Sequence, residues 1–431
     1  MRIFPDLLET TLWKVETTML RDCLRNALAI IVLSGIVMKV SFCDILIIEK
    51  RCDAGLLQRA VQNAEDLKPI PLDRFGSSAH HWRDLRDASR FVQARPDQPA
   101  YAPNQVREIV ANILLFQRDN GGWPKDYDMT AVLTADQKKE VLATRSRSDT
   151  SYDNDNIHSQ VDYLARAIAQ VDEPAWRLAC ERGFDFLLAS QYPHGGFPQR
   201  FPNPKDFHAH ITFNDGVMIG ILNVLEDAAD GAAHFRWLDE GRRQKAREAV
   251  RRGVDCILKC QIREGEALTG WCQQHDEMTF EPRPARTFEL ASLCPQDTAG
   301  IVRFLIRSRQ PSPAVLASVE GALVWLNRVK LLGVRVEKVK APREEFLRHS
   351  ADFDVTLVAD PKARPLWARH YEIGSNRPVF AGRDGIKRYA LAEIERERRT
   401  GTAWYGSWPL KLIETEYPQW RRQVEGKSPS L

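Results

Sequence analysis

The segments LLFQRDNGGWPK (residues 114–125) and LASQYPHGGFPQ (188–199) are two versions of one pattern: Gln117, Gly121, Gly122, Trp123 and Pro124 match Gln191, Gly195, Gly196, Phe197 and Pro198 at one constant offset. A third, decayed copy ends the stretch AREAVRRGVDCILKCQ at Gln261 and reaches Gly270 and Trp271, and SVEGALVWLNRVKLLG follows at similar spacing. A repeat of this length restricts the chain to folds in which one supersecondary unit stacks on copies of itself. In the first two copies, apolar residues three or four apart run up to a Gly-Gly pair, where glycine accepts the left-handed dihedrals that end a helix. Between the copies, SQVDYLARAIAQV (159–171) and GVMIGILNVLEDAA (216–229) carry the same helical spacing. Helix therefore alternates with helix. The prediction is an all-α chain folded as an α/α toroid, a partial α/α barrel of helical hairpins, with its Gly-aromatic-Pro loops gathered at one end. The long polar stretches 262–295 and 358–388 lack helical periodicity and are predicted to be loops that form a cleft.

A chain of 431 residues, 43% apolar, can bury one large core, or two modest ones, without help from disulfides. Residues 55–425 are predicted to form that domain, and 1–54 an N-terminal extension. Within the extension, ALAIIVLSGIVM (27–38) is uncharged but too short to span a bilayer, so no stable membrane span is expected. It follows the basic MLRDCLRN, which together read as a signal-peptide-like segment and predict a secreted or periplasmic protein. A buried N-terminal helix in a cytoplasmic protein is the alternative. The formal charge of +3 gives no global reason to expect a nucleic-acid partner, and a monomer is expected. The eight cysteines lack the spacing of a zinc site, and Cys180, Cys256, Cys260, Cys272 and Cys294 are expected to be buried.

Two carboxylates, Asp153 and Asp155, stand two apart in SYDNDNIHSQ (151–160), directly before a predicted helix. Asp155 or Asn156 can serve as a helix cap, but capping needs only one of them. A second carboxylate costs repulsion unless a cation or an arginine offsets it. One repeat later Asp215, in HITFNDGVMIGI, again precedes a helix. On a toroid the two helix starts can converge, and three carboxylates suit calcium, which takes oxygen ligands.

Taken in order, QRDNGGWPKDYDM, YDNDNIHSQVDYLARA, SQYPHGGFPQRFP, HITFNDGVMIGIL, WCQQHDEMTFEPRPARTFELASLC, WARHYEIGSNRPVFAGRDG and GTAWYGSWP resemble the family 10 polysaccharide lyases, which are pectate lyases. The resemblance runs from about residue 76 to 420. It implies an α/α toroid that cleaves polygalacturonate (pectate) by calcium-assisted β-elimination. Asp153 and Asp215, with Asp155 as a third candidate, would hold the calcium. The resemblance also implies an arginine as the base, at Arg286 in PARTFE, with Arg283 as the rival position and an ion pair to Glu289 as the structural alternative. An arginine base must be neutral as it reacts, so an alkaline optimum is expected. Arg369, Arg377 and Arg383 resemble the family's substrate-binding arginines, whose guanidinium forks suit carboxylates. Asn154, Lys125 and Arg200 are further substrate-binding candidates.

Trp123, Trp271 and Trp404 can stack on sugars but are expected in the core. Among the histidines, His275 is the one expected to line the cleft. Two rival readings remain: a polyuronate-binding protein without activity, and a terpenoid-cyclase-like toroid, to which the Gln-x3-Gly-x-Trp pattern also points.

Overall fold

The computed structural model describes residues 67–83, 90–346 and 348–426. The proposed extension, residues 1–54 with the apolar 27–38 stretch, lies outside them, as does the start of the predicted domain. Helices α1 (Asp73–Ser78), α2 (Val106–Phe116), α3 (Ala135–Leu142), α4 (His158–Ile168), α5 (Pro174–Ala189), α6 (Val217–Ala229), α7 (Glu240–Cys260), α8 (Pro295–Leu305) and α9 (Pro313–Arg328) make the body. Helices α4, α6 and α8 pack side by side as an inner layer, and α2, α5, α7 and α9 lie outside them. The predicted toroid of α-hairpins is the architecture found. Its inner helices are the most deeply enclosed: every residue of α4 except Arg166 is buried.

The repeat explains how one outer helix finds the next. The Gln117 side-chain amide donates to the Gly121 carbonyl of its own loop (3.0 Å) and to Ala179 of α5 (2.8 Å). Gln191 does the same to Gly195 (3.0 Å) and to Ala249 of α7 (2.8 Å). The decayed copy keeps the device, with Gln261 donating to Thr269 (2.8 Å) and to Ser318 of α9 (2.9 Å). Each glutamine thus ties a carbonyl of its own loop to one in the middle of the next outer helix. The aromatic residues fold back onto their own helices: the Trp123 indole donates to the Ile113 carbonyl (2.7 Å) and the Trp271 indole to Ile257 (2.8 Å). Trp123, Trp271 and Trp404 are all buried, as expected of core residues.

Glycine is required in the loops. Gly195 has φ +98°, and a Cβ there would lie 2.0 Å from the Arg252 carbonyl oxygen on the next outer helix. Gly195→Ala is therefore expected to destabilise the fold by about 2–4 kcal/mol, read as a lower urea midpoint at unchanged m.

The loop stretch 262–295 carries short strands. β1 (Ile211–Thr212), β2 (Gln274–His275) and β3 (Pro282–Arg283) pair antiparallel, with Ile211 opposite His275 and Gln274 opposite Arg283. After α9 comes an element the helical reading did not anticipate, the hairpin of β4 (Val334–Glu345) and β5 (Ser350–Ala359). Two further helices, α10 (Arg396–Gly401) and α11 (Tyr417–Glu425), close the chain. Among the described residues no helix is long and apolar enough to cross a membrane.

Candidate active site

The loops at one end of the toroid enclose a cleft of about 1130 Å³, with Lys125, Asp153, Asp215, Arg286, Arg369 and Arg383 in its walls. Asn154 and Arg200 also line it. Of the site residues predicted from sequence, eight meet here. A terpenoid cyclase needs an apolar cavity, and these walls are charged.

Asp153 and Asp215 sit on the turns that precede α4 and α6, equivalent places in successive hairpins. The turns are tied together, with the Asp155 amide donating to the Asp215 carbonyl (3.1 Å). Asp215 has left-handed backbone dihedrals (φ 52°, ψ 33°) and Gly216 follows at φ 73°. One Asp215 carboxylate oxygen accepts from the Asn214 side chain (2.6 Å). Burial, and then the Asp153 charge, push the Asp215 pKa up to about 7, against the pull of Arg369.

Asp153 differs because its partners are different. The Lys125 ammonium meets one of its oxygens and the Gln199 amide donates to the other (2.8 Å). Burial acts to raise its pKa, but Lys125, Arg286 and Gln199 together hold it below the usual carboxylate range. Lys125 and Gln199 occupy the same place in their repeats, directly after the Gly-aromatic-Pro turn, so the repeat aims both at one carboxylate. The Gln199 side-chain amide oxygen, Oε1, is buried and has no hydrogen-bond partner among the described residues.

This orphaned oxygen bears on whether a cation fits. Two carboxylates, one of them pushed toward neutrality by burial and then by the other, line the same cleft as a buried amide oxygen with no donor among the described residues. All are hard oxygen donors of the kind calcium takes. The residues present therefore fit calcium.

Asp155 does not join them. Asn154 and Asp155 both have positive φ (58° and 59°), and this pair of left-handed residues turns the Asp155 side chain away from the cleft. Its carboxylate lies 3.7 Å from the buried ring of His158 and packs against Gly216, where a Cβ would meet it at 2.3 Å. Asn156 is a structural tie, donating to the Trp123 and Ser151 carbonyls (3.1 and 2.6 Å).

Arg286 and Arg283 separate clearly. Arg283 is forked onto Asp276 (2.8 and 3.1 Å) and is not part of the cleft wall. Arg286 faces the cleft and is forked onto Glu289, with Nε 2.7 Å and Nη2 2.5 Å from its oxygens. Burial would lower its pKa, but the Glu289 hydrogen bonds and the charges of Glu289, Asp215 and Asp153 outweigh it and raise the value. Arg286 thus has the ion pair with Glu289 and lines the same cleft as Asp153 and Asp215.

The remaining arginines divide. Arg369 donates to the side-chain oxygens of Gln296 and Asn214 (both 3.2 Å), with no carboxylate bound to it among the described residues. Arg383 is forked onto Glu397 (2.8 and 3.1 Å). Arg377 lies outside this cleft wall, its guanidinium stacked 3.8 Å from the centre of the Tyr389 ring, so the structure does not bring it together with the other predicted substrate ligands.

His275 is also corrected. It is fully buried, its Nε2 accepting from the Cys272 amide (3.0 Å) and its Nδ1 meeting the Phe280 carbonyl (2.8 Å). His80, His81, His208 and His370 line the cleft instead. Burial depresses the His370 pKa to about 3, so this ring is neutral at ordinary pH.

Gln199 and Arg398 are among the cleft residues missed from sequence. Gln199 was legible from its register with Lys125. Arg398, whose guanidinium lies 4.1 Å from the Phe288 ring centre, sits in a charge-rich stretch that reads as solvated surface.

No curated protein matches this chain. Among solved structures it is similar to a family 10 polysaccharide lyase from Cellvibrio cellulosa, at 28% identity and TM-score 0.61, covering 73% of this chain and 91% of that one. A mutant of a family 10 lyase from the same organism, in complex with trigalacturonic acid, aligns at 26% identity and TM-score 0.63, covering 82% and 99%. The family model described as pectic acid lyase matches residues 117–413, a span that holds both cleft carboxylates and all the cleft arginines named above; the chain belongs to this family, the family 10 polysaccharide lyases.

Proposed function

We propose that this chain is a pectate lyase that cleaves polygalacturonate by β-elimination, with Arg286 as the base. The observation that carries the reading is the cleft itself, where the buried carboxylate of Asp153, the half-buried one of Asp215 and Arg286 face one space. The neighbour in complex with trigalacturonic acid supports the same substrate class.

In this reading Arg369 and Arg383 hold galacturonate carboxylates by their guanidinium forks, with Lys125, Arg200 and Asn154 along the walls. Arg286, in its neutral form, takes the proton from the carbon next to the sugar's carboxylate. The electron pair left behind forms the carbon–carbon double bond as the glycosidic C–O bond breaks. The departing oxygen takes a proton, giving a 4,5-unsaturated product. Asp153, Asp215 and the Gln199 oxygen would hold calcium, which as a Lewis acid supplies neutralisation of the substrate carboxylate. Glu289 fixes where the Arg286 fork points. The apolar 27–38 stretch behind a basic segment supports export to the polymer.

Purified protein mixed with polygalacturonate at alkaline pH is expected to produce the ultraviolet absorbance of a conjugated unsaturated uronate. If no absorbance develops across calcium concentrations and pH, the lyase reading is wrong. Retardation of the protein by the same polymer in affinity electrophoresis would then support a binding protein.

A further inference from the structure

The cations of the cleft are mostly matched by carboxylates of the same wall: Lys125 by Asp153, Arg286 by Glu289, Arg343 by Glu345 and Arg383 by Glu397. Among the described residues Arg369 and Arg200 have no matching carboxylate, and neither has Arg348. It is exposed and lines the cleft, yet no hydrogen bond or ion pair holds its guanidinium among the described residues. A charge left unmatched in a site for a polyanion is available to the ligand.

Its place is fixed by the hairpin. β4 and β5 pair from Val334 opposite Ala359 to Glu345 opposite Ser350. At ~3.4 Å per residue such a ribbon carries its tip ~40 Å from its base. The tip is fastened to α10. Arg396 donates to the Phe353 carbonyl (3.1 and 2.9 Å) and to Ala351 (3.0 Å). Arg399 is forked onto Asp354, with Nε 2.8 Å from its oxygen, and the His349 ring meets the Thr400 hydroxyl at 2.9 Å. The ribbon is thus a built wall with Arg348 at its cleft end. On another part of the wall, His81 has its pKa depressed to about 4, first by burial, then by His80, with Arg348 among the contributing charges.

A polyuronate carries one carboxylate on every sugar, so each unmatched cation along the cleft can read one more sugar. Arg369 lies beside Asn214 and hence beside the Asp215 turn. Arg348 lies on a separate element. We propose that Arg348, carried on the hairpin tip, forms a subsite for the carboxylate of a galacturonate away from the reacting bond and so sets a preference for longer chains. This inference rests on the polygalacturonate reading above.

The test compares the full-length wild type with Arg348→Ala and Arg348→Lys on trigalacturonate, hexagalacturonate and the polymer, following unsaturated product. Arg348→Ala is expected to keep the wild-type kcat/KM on the trimer and to lose about tenfold on the hexamer and polymer. Arg348→Lys should retain most of the activity, and the gap between Ala and wild type should narrow as salt rises. An equal loss at every chain length, or no loss at any, overturns the subsite, because a solvated surface arginine or a general structural defect gives those patterns. Thermal midpoints matching wild type are expected for both variants. A wild type that makes no product from any length refutes the polygalacturonate reading, and the subsite with it.

Discussion

Arg286→Ala is expected to lower kcat on polygalacturonate by about 10³-fold or more while leaving its binding within a few-fold, because the side chain is asked to move a proton and the sugar is gripped by other arginines. Arg283→Ala is the control, since Arg283 is spent on Asp276 outside the cleft and should leave turnover near wild type. A variant at 286 that keeps wild-type rates would remove the arginine from the chemistry. The same model fixes a pH profile. Glu289 forks Arg286 and, with Asp215 and Asp153, raises its pKa above the ordinary arginine value despite burial. The fraction of neutral side chain then rises about tenfold for each unit of pH across the accessible range. Activity should climb through the alkaline range until stability fails. A plateau near neutrality would require another base.

The second large effect concerns the carboxylate pair. Asp215→Asn, or excess chelator on wild type, is expected to reduce turnover by more than the ~10–100-fold that loss of an outer-shell metal partner costs. Added calcium should restore the chelated enzyme fully and the variant in part. Proton and cation compete for the same oxygens, and the direction follows from Asp215. Its folded pKa of about 7 lies above its unfolded value, so the stability it contributes is fully present below the unfolded pKa. That stability is lost as pH rises through about 7. Calcium should therefore raise the thermal midpoint more at pH 8 than at pH 5, and this difference should vanish in Asp215→Asn. An equal calcium effect at both pH values in the two proteins would place the ion elsewhere.

The body of the fold was legible because one residue does the same thing three times. Gln117, Gln191 and Gln261 each bridge a loop to the next outer helix, so the spacing in the sequence is the spacing of the layer. The carboxylates Asp153 and Asp215 were legible for the same reason, since both precede inner helices. Asp155 was not. Its neighbour Asn154 shares its positive φ, and two consecutive left-handed residues reverse the direction that spacing alone suggests. His275 was misplaced, and Arg377 stands apart from the cleft wall, because a charged or imidazole side chain in a cleft-forming loop can still turn toward its own backbone or a neighbouring ring. The hairpin carried a usable signal, the alternation in VRVEKV and FDVTLV. Helical repeats on one side of it and polar loops on the other drew the reading past it.

The glutamine bridges also decide how the molecule comes apart. Each amide reaches its own loop and the next outer helix, and none reaches further. Stability is then close to a sum of unit terms and nearest-neighbour terms, as in a linear array. Losing one bridge loosens the two hairpins it joins and leaves the others coupled, so hydrogen exchange should open the toroid in blocks bounded by glutamines. The carboxylate pair sits on two adjacent blocks. An ion held by both would clamp the seam between them, making the site the place where this quasi-linear array becomes a single cooperative body.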